Sequence, residues 1–428
     1  LALFFNCHQV ICKSEYTTNE FSKPYKGDGV MQRKIIYYYI ISTVLLVCVS
    51  FFSIELTTRI VSYFSGKGFS LSLHELDPSN NMTIYQWHPF TGFIFKPNAV
   101  FSGGHPYQKE KSSILVDKNG FLAKDQQLSY TKPANEIRIA TIGGSTTANI
   151  NLSFDDNWPG YLGQLVQKVF PEKNIRIINA GVPGFDTSQS IPNLALRVIP
   201  FHPDIIIIYH AYNDLKAIKY GIEFKPDYSH IHSTPYGYHE EPTLIVKGLS
   251  QSMFYVRTRN QYRKFKERID ANGMMLKALT DKDRLDYIPE EALQTFEQHI
   301  QSLVAIGEIS NAKVILSSFA TLYDPNLDYT KRETFTQMST LQKKDLYSLM
   351  NFTPGLTVNA FFKGIKEYNT ILKNIAIHEK TGWIDNASSV PHKDEYFVDR
   401  VHFSKKGAKC MAENILPVVL ELIEKEKN

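Results

Sequence analysis

EIRIATIGGSTT, residues 136–147, decides how this chain is read. Its first half is a short run rich in β-branched residues, as expected of a strand buried on both faces of a parallel sheet. Its second half puts Ser145 at the turn into a helix, behind Gly143 and Gly144, which allow a tight backbone there. Working outward, four similar runs follow: Ile175-Arg-Ile-Ile-Asn, Ile205-Ile-Ile-Ile-Tyr, Val314-Ile-Leu-Ser and Trp383-Ile-Asp. Helical spacing fills the gaps, with Trp158, Leu162, Leu165, Val166 and Val169 on one face and Ile365, Tyr368, Leu372, Ile375 and Ala376 on another. Strand and helix alternate, so residues 136–428 read as an α/β domain with a mainly parallel sheet and helices on both faces. The connection at about 215–311 is longer than a crossover needs and is expected to hold extra helices as a lid or rim.

In an open parallel sheet the functional groups gather at the carboxyl ends of the strands. Ser145 follows the first run, Asn179-Ala-Gly-Val-Pro-Gly184 the second, and His210-Ala-Tyr-Asn213-Asp214 the third. Beyond the fifth comes Asp399-Arg-Val-His402-Phe-Ser404, just ahead of a last helix that Ser404 is placed to cap. Each piece alone has an ordinary reading. The glycine-serine block is a strand-to-helix turn without the lysine of a phosphate loop. Asn213-Asp214 reads as a turn or cap. An Asp-x-x-His at i, i+3 brings two side chains to one place and decorates many surfaces.

The four blocks together, in this order and at these strand ends, resemble the SGNH/GDSL hydrolase family over roughly residues 136–420. The resemblance implies a three-layer, flavodoxin-like sheet and a serine esterase. Ser145 would be the nucleophile, His402 its base and Asp399 the carboxylate that orients the imidazole. The backbone N–H of Ser145, the backbone N–H of Gly184 and the side-chain amide of Asn213 would form an oxyanion hole. Two residues depart from the family pattern: Gly144 stands where its name has Asp, and Ala211 where the third block has Gly. Asp214 reads as structural and His210 as a satisfied strand-end histidine. No His/Cys/Asp/Glu group has metal-ligand spacing, so no metal or cofactor is expected.

The N-terminal third has another character. Ile35 to Ile54 carries no charge over about the length needed to cross a bilayer. Arg33 and Lys34 precede it, with Lys23 and Lys26 earlier, so the basic side is expected to stay cytoplasmic and the rest extracytoplasmic, periplasmic in a bacterium. A cleaved signal peptide and a buried core helix are the alternatives, and SFFSIELTTR offers no A-x-A cleavage pattern. Met31 resembles a natural start, so the expected organisation is an upstream extension at 1–30, a transmembrane anchor at 31–55 and an accessory region of short strands or a small cap at 56–135. The main domain then follows at 136–428.

A net charge of +4 over 428 residues does not suggest nucleic acid. The basic, aromatic run beginning at Arg257 admits an anionic-surface reading, but is taken as a solvated helix face with Phe254, Tyr262 and Phe265 turned inward. Cys7, Cys12, Cys48 and Cys410 leave one thiol in the main domain and hence no disulfide framework there. Family and location together imply removal of short acyl groups, O-acetyl above all, from a cell-envelope glycan. The alternatives are an O-acyltransferase using the same triad, a lipase, and a silent glycan-binding scaffold.

Overall fold

The computed structural model describes residues 28–65, 84–105, 111–125, 128–232, 252–259, 261, 262, 265, 284–353 and 355–425. Most of the extension expected at 1–30 and much of the basic run after Arg259 lie outside these residues.

The chain opens with α1 (Asp28–Phe64), followed by the hairpin β1 (Tyr85–His88) and β2 (Gly92–Phe95). Then come β3 (Val100–Gly103), β4 (Ser112–Val116), β5 (Leu122–Ala123), β6 (Glu136–Gly143), the short α2 (Ser145–Ala148), α3 (Trp158–Val169) and β7 (Asn174–Asn179). After α4 (Thr187–Asn193) and β8 (Ile205–Tyr209) follow α5 (Glu290–Ile309), β9 (Lys313–Ser317), α6 (Thr340–Phe352), α7 (Val358–His378), β10 (Gly382–Ile384) and α8 (Lys405–Lys425).

One eight-stranded sheet runs β10-β9-β8-β6-β7-β5-β4-β3. The five strands from β6 to β10 pair in parallel, with Ile139 opposite both Ile177 and Ile205. In chain order that parallel part is 2-1-3-4-5, the flavodoxin-like arrangement, whose switch point lies between the first and third strands. Those strands are β6 and β8, and their carboxyl ends carry Ser145 and Asn213. Every residue of β8 is buried, as a strand with helices on both sides requires.

The helices close the sheet as their spacing predicts. Trp158, Leu162 and Val166 of α3 are fully buried, although Val169 at its end is exposed. Ile365, Tyr368, Leu372, Ile375 and Ala376 of α7 are all buried. Ser404 starts α8, its Oγ accepting from the Gly407 N–H at 3.2 Å.

The N-terminal strands do not stand apart from this sheet. β5 joins β7 antiparallel through Leu122 and Asn179, and β4 and β3 extend the edge. A second, smaller core of Tyr85, Phe93, Phe95, Ile114, Val116 and Leu122 reaches Val182 and Phe185 in the loop after β7. The hairpin is thereby packed against a loop that carries candidate site residues, with Phe93 and Phe185 edge to face at 5.1 Å.

α1 is the one helix among the described residues long and apolar enough to cross a membrane. All residues from Ile35 to Ile54 are exposed, which excludes the core-helix alternative and fits a membrane anchor or a signal sequence. Just past that stretch the helix turns a polar stripe inward. Glu55 accepts from Ser252 Oγ at 2.7 Å and from the Met253 and Phe254 N–H groups at 2.9 and 3.0 Å. Arg257 donates to Ser62 at 3.0 Å. In the helix at residues 253–259 it is Met253 and Val256 that are buried, so the inward face expected for Phe254, Tyr262 and Phe265 is corrected: all three are exposed. The i, i+3 pair Met253 and Val256 sets the buried face, and Phe254, one position on, points off it.

Candidate active site

The turn after β6 is crowded enough to accept only glycine. A Cβ at Gly143 would meet Thr147 Oγ1 at 2.0 Å and the Tyr209 carbonyl at 2.5 Å. At Gly144 it would meet Asn213 Nδ2 at 2.6 Å and the Phe185 carbonyl at 3.0 Å. The departure at Gly144 thus has a local cause: the Asn213 amide occupies the space that a side chain would take. Ser145 opens α2, so its N–H has no intrahelical acceptor.

The neighbouring loops are tied to this turn. Asn179 Nδ2 donates to the Thr147 carbonyl at 3.3 Å while its Oδ1 accepts from the Gly181 N–H at 3.1 Å. Trp158, sealed in the core, donates through Nε1 to the Thr146 carbonyl at 3.0 Å. Gly184 adopts a φ of 90°, a conformation that favours glycine. Asn213 Nδ2 donates one proton to the Phe185 carbonyl at 2.7 Å, and a primary amide carries a second.

Asp399, Ser145 and His402, far apart in the chain, come together. His402 Nε2 lies 2.8 Å from Ser145 Oγ, and His402 Nδ1 lies 2.7 Å from Asp399 Oδ2. The tautomer that satisfies both contacts carries its proton on Nδ1 and accepts at Nε2. Asp399 Oδ1 accepts from the Val401 and His402 N–H groups at 2.9 and 2.7 Å, the tight turn that the i, i+3 spacing implied. Asn151, shortly after α2, donates to the Phe403 carbonyl at 2.9 Å and pins the histidine loop beside the serine turn. Burial by itself would raise the Asp399 pKa. The charge of His402, hydrogen bonds from His105 and His402, and nearby Arg400 instead hold it well below the usual carboxylate range. A hydroxyl, an imidazole and an ionised carboxylate in a line can move a proton from oxygen to nitrogen while the carboxylate stays charged.

Two neighbours escaped the sequence reading. His105, two residues past β3, places Nε2 2.9 Å from Asp399 Oδ2. Arg400 is buried and spans from Tyr212 Oη to Asp345 on α6, each at 2.5 Å. The donor atoms of His105, Asp399 and His402 all lie within 4.8 Å of one another, close enough to hold a metal ion. In this structure both imidazoles are hydrogen-bonded to Asp399 Oδ2, so the group is satisfied through shared protons.

His210 and Asp214 take the structural places expected of them. His210 Nε2 pairs with Ser190 Oγ at 2.8 Å, and burial pushes its pKa down to about 4. Asp214 Oδ1 accepts from the Thr187 N–H at 3.0 Å and from its hydroxyl at 2.5 Å. A cavity of about 440 Å³ between β5 and α3 shares no residue with the Ser145 group.

A switch-point serine meets a histidine and an aspartate from the last loop of a 2-1-3-4-5 sheet. The GDSL-like lipase/acylhydrolase family model matches residues 141–410, and the chain belongs to that family. It is an ester-hydrolysing enzyme. Among solved structures, an acetyl xylan esterase variant from Geobacillus stearothermophilus matches at 15% identity and a TM-score of 0.37, covering 68% of this chain and 97% of that one. A GDSL-like lipase from Bacteroides thetaiotaomicron matches at 13% identity and a TM-score of 0.35, covering 66% and 88%. An α/β hydrolase from the metagenome of Lake Arreo, Spain, matches at 13% and 0.38, covering 68% and 98%. No curated protein matches, and the family assignment rests on the family model alone.

Proposed function

We propose that Ser145 attacks the ester carbonyl, that His402 takes its proton and returns it to the leaving alcohol, and that Asp399 fixes and supports the imidazole. The N–H groups of Ser145 and Gly184 and the free amide proton of Asn213 stabilise the oxyanion. The observation that carries this reading is the chain of contacts Ser145 Oγ to His402 Nε2, 2.8 Å, and His402 Nδ1 to Asp399 Oδ2, 2.7 Å.

The substrate in this reading is a short-chain acyl ester, O-acetyl above all, on a glycan of the cell envelope. The exposed apolar face of α1 supports a bilayer as its other partner, with the basic N-terminal flank cytoplasmic and residues 136–428 working as the catalytic domain on the far side. Residues 31–55 are the anchor and 56–135 the accessory region, which contributes strands to the sheet of the catalytic domain. A fluorophosphonate probe is expected to label the full-length protein and to leave Ser145→Ala unlabelled. Labelling of that variant at the wild-type level would remove Ser145 from its role. Incubating an acyl ester with and without a sugar acceptor then separates hydrolysis from acyl transfer.

A further inference from the structure

The arm that precedes the main domain delivers an imidazole to the last loop of that domain. His105 and Asp399 are 294 positions apart, yet Nε2 and Oδ2 are 2.9 Å apart, with side chains only 13% and 6% exposed. The approach is built into the backbone. A Cβ at Gly103, the last residue of β3, would lie 2.0 Å from the Ile150 carbonyl, so the strand ends directly against the segment that follows α2. Gly104 and His105 then continue from that contact, and the His105 and His402 rings lie 5.6 Å apart, inclined at 42°. Asp399 thereby receives two backbone N–H groups on Oδ1 and two imidazoles on Oδ2.

We propose that His105 is a positioning residue for Asp399, so that the N-terminal arm completes the catalytic site of the domain after it. This rests on the triad reading given above. His105 gives Oδ2 a partner from outside the turn that joins Asp399 to His402, so that oxygen stays anchored while the His402 ring moves its proton, and a site this sheltered offers little water to replace a lost donor. The second imidazole also shares the charge of Oδ2, which His402 would otherwise face alone. Asp399 faces His402 and Arg400 from its own loop and His105 from the arm. Asp345 on α6 and Tyr212 after β8 reach the group through Arg400.

The test is turnover of p-nitrophenyl acetate by the full-length protein in detergent, comparing wild type, His105→Phe, His105→Gln and Ser145→Ala. His105→Phe keeps a ring and removes the donor. It is expected to lower kcat roughly 10- to 100-fold with KM little changed, the cost typical of losing a supporting partner in an aligned site. The acid limb of its kcat profile should move to higher pH, because the uncovered Oδ2 holds protons more tightly, its own and that of His402. His105→Gln, whose amide can donate to the same oxygen, should recover most of the turnover and the wild-type limb. Wild-type kcat and profile in His105→Phe would overturn the proposal, as would equal loss in both variants. Activity surviving in Ser145→Ala would instead bring down the triad reading itself, a separate failure.

Discussion

Asp399 and Asp214 are both buried aspartates beside histidines, and their surroundings push their charges opposite ways. Asp399 sits among donors and cations: two backbone N–H groups, two imidazoles and the guanidinium of Arg400, which together overcome burial and keep it ionised. Asp214 has the Thr187 donors but also a second carboxylate, Asp186, and burial with that neighbour pushes its pKa up to about 7. The neighbouring His210, its Nδ1 3.9 Å away, stays neutral at pH 7, since burial pushes its pKa down to about 4. His232, at 2.7 Å, is spent on Asp186 instead: burial would raise that carboxyl, and the His232 contact leads the group of interactions that lower it. An Asp next to a His is therefore no signature by itself. What separates a reactive pair from a scaffold is whether the carboxylate has enough donors to remain charged and whether the imidazole also reaches a hydroxyl.

The largest effect should come from Asp399→Asn, which keeps the shape, removes the charge and favours the wrong tautomer of His402. Turnover of a short acyl ester is expected to fall about 10⁴-fold. A loss no greater than that of Asp214→Asn, measured on the same ester, would erase the distinction. Next comes Asn213→Ala, beside Asp214 in sequence but facing the serine turn. It should cost about 10²–10³ in kcat with the fold intact by circular dichroism, and unchanged turnover would take Asn213 out of the oxyanion hole. Smallest is Asp214→Asn, expected to leave turnover near wild type and to show itself in stability. With a folded pKa of about 7 against an ordinary 3.8, Asp214 binds more protons folded than unfolded in that interval. Its contribution is thus full below the ordinary value and lost as pH rises through the folded one. Thermal melts between pH 4 and 7 should show the variant with a flatter decline, and an identical slope would mean that Asp214 is ionised throughout.

Much of this was legible in the sequence because the parallel sheet writes itself locally. Ile205-Ile-Ile-Ile-Tyr is apolar throughout since both faces of β8 are covered, and the residues just after β6 and β8 include Ser145 and Asn213. Asp399 and His402 were legible because one tight turn joins them. His105 was not: a lone histidine after an edge strand carries no local pattern, and its partner is fixed by how β3 ends against Ile150. Arg400 was hidden within the very block that was read, because its partners, Tyr212 and Asp345, come from other elements. The strands β3 to β5 read as short pieces of an accessory region since their pairing into the main sheet passes through one residue pair, Leu122 and Asn179. The inward turn expected of Phe254, Tyr262 and Phe265 failed because hydrophobicity says which residues prefer burial, and Met253 and Val256 already fill that side.

The seam at Glu55 joins parts of the chain that lie far apart. Residues 252–257 grip Glu55 and Ser62, 195 to 199 positions earlier, just past the exposed apolar stretch of α1. Three of those donors share one carboxylate, so removing the Glu55 side chain would strand all three at once, and the joint would be lost as a unit rather than bond by bond.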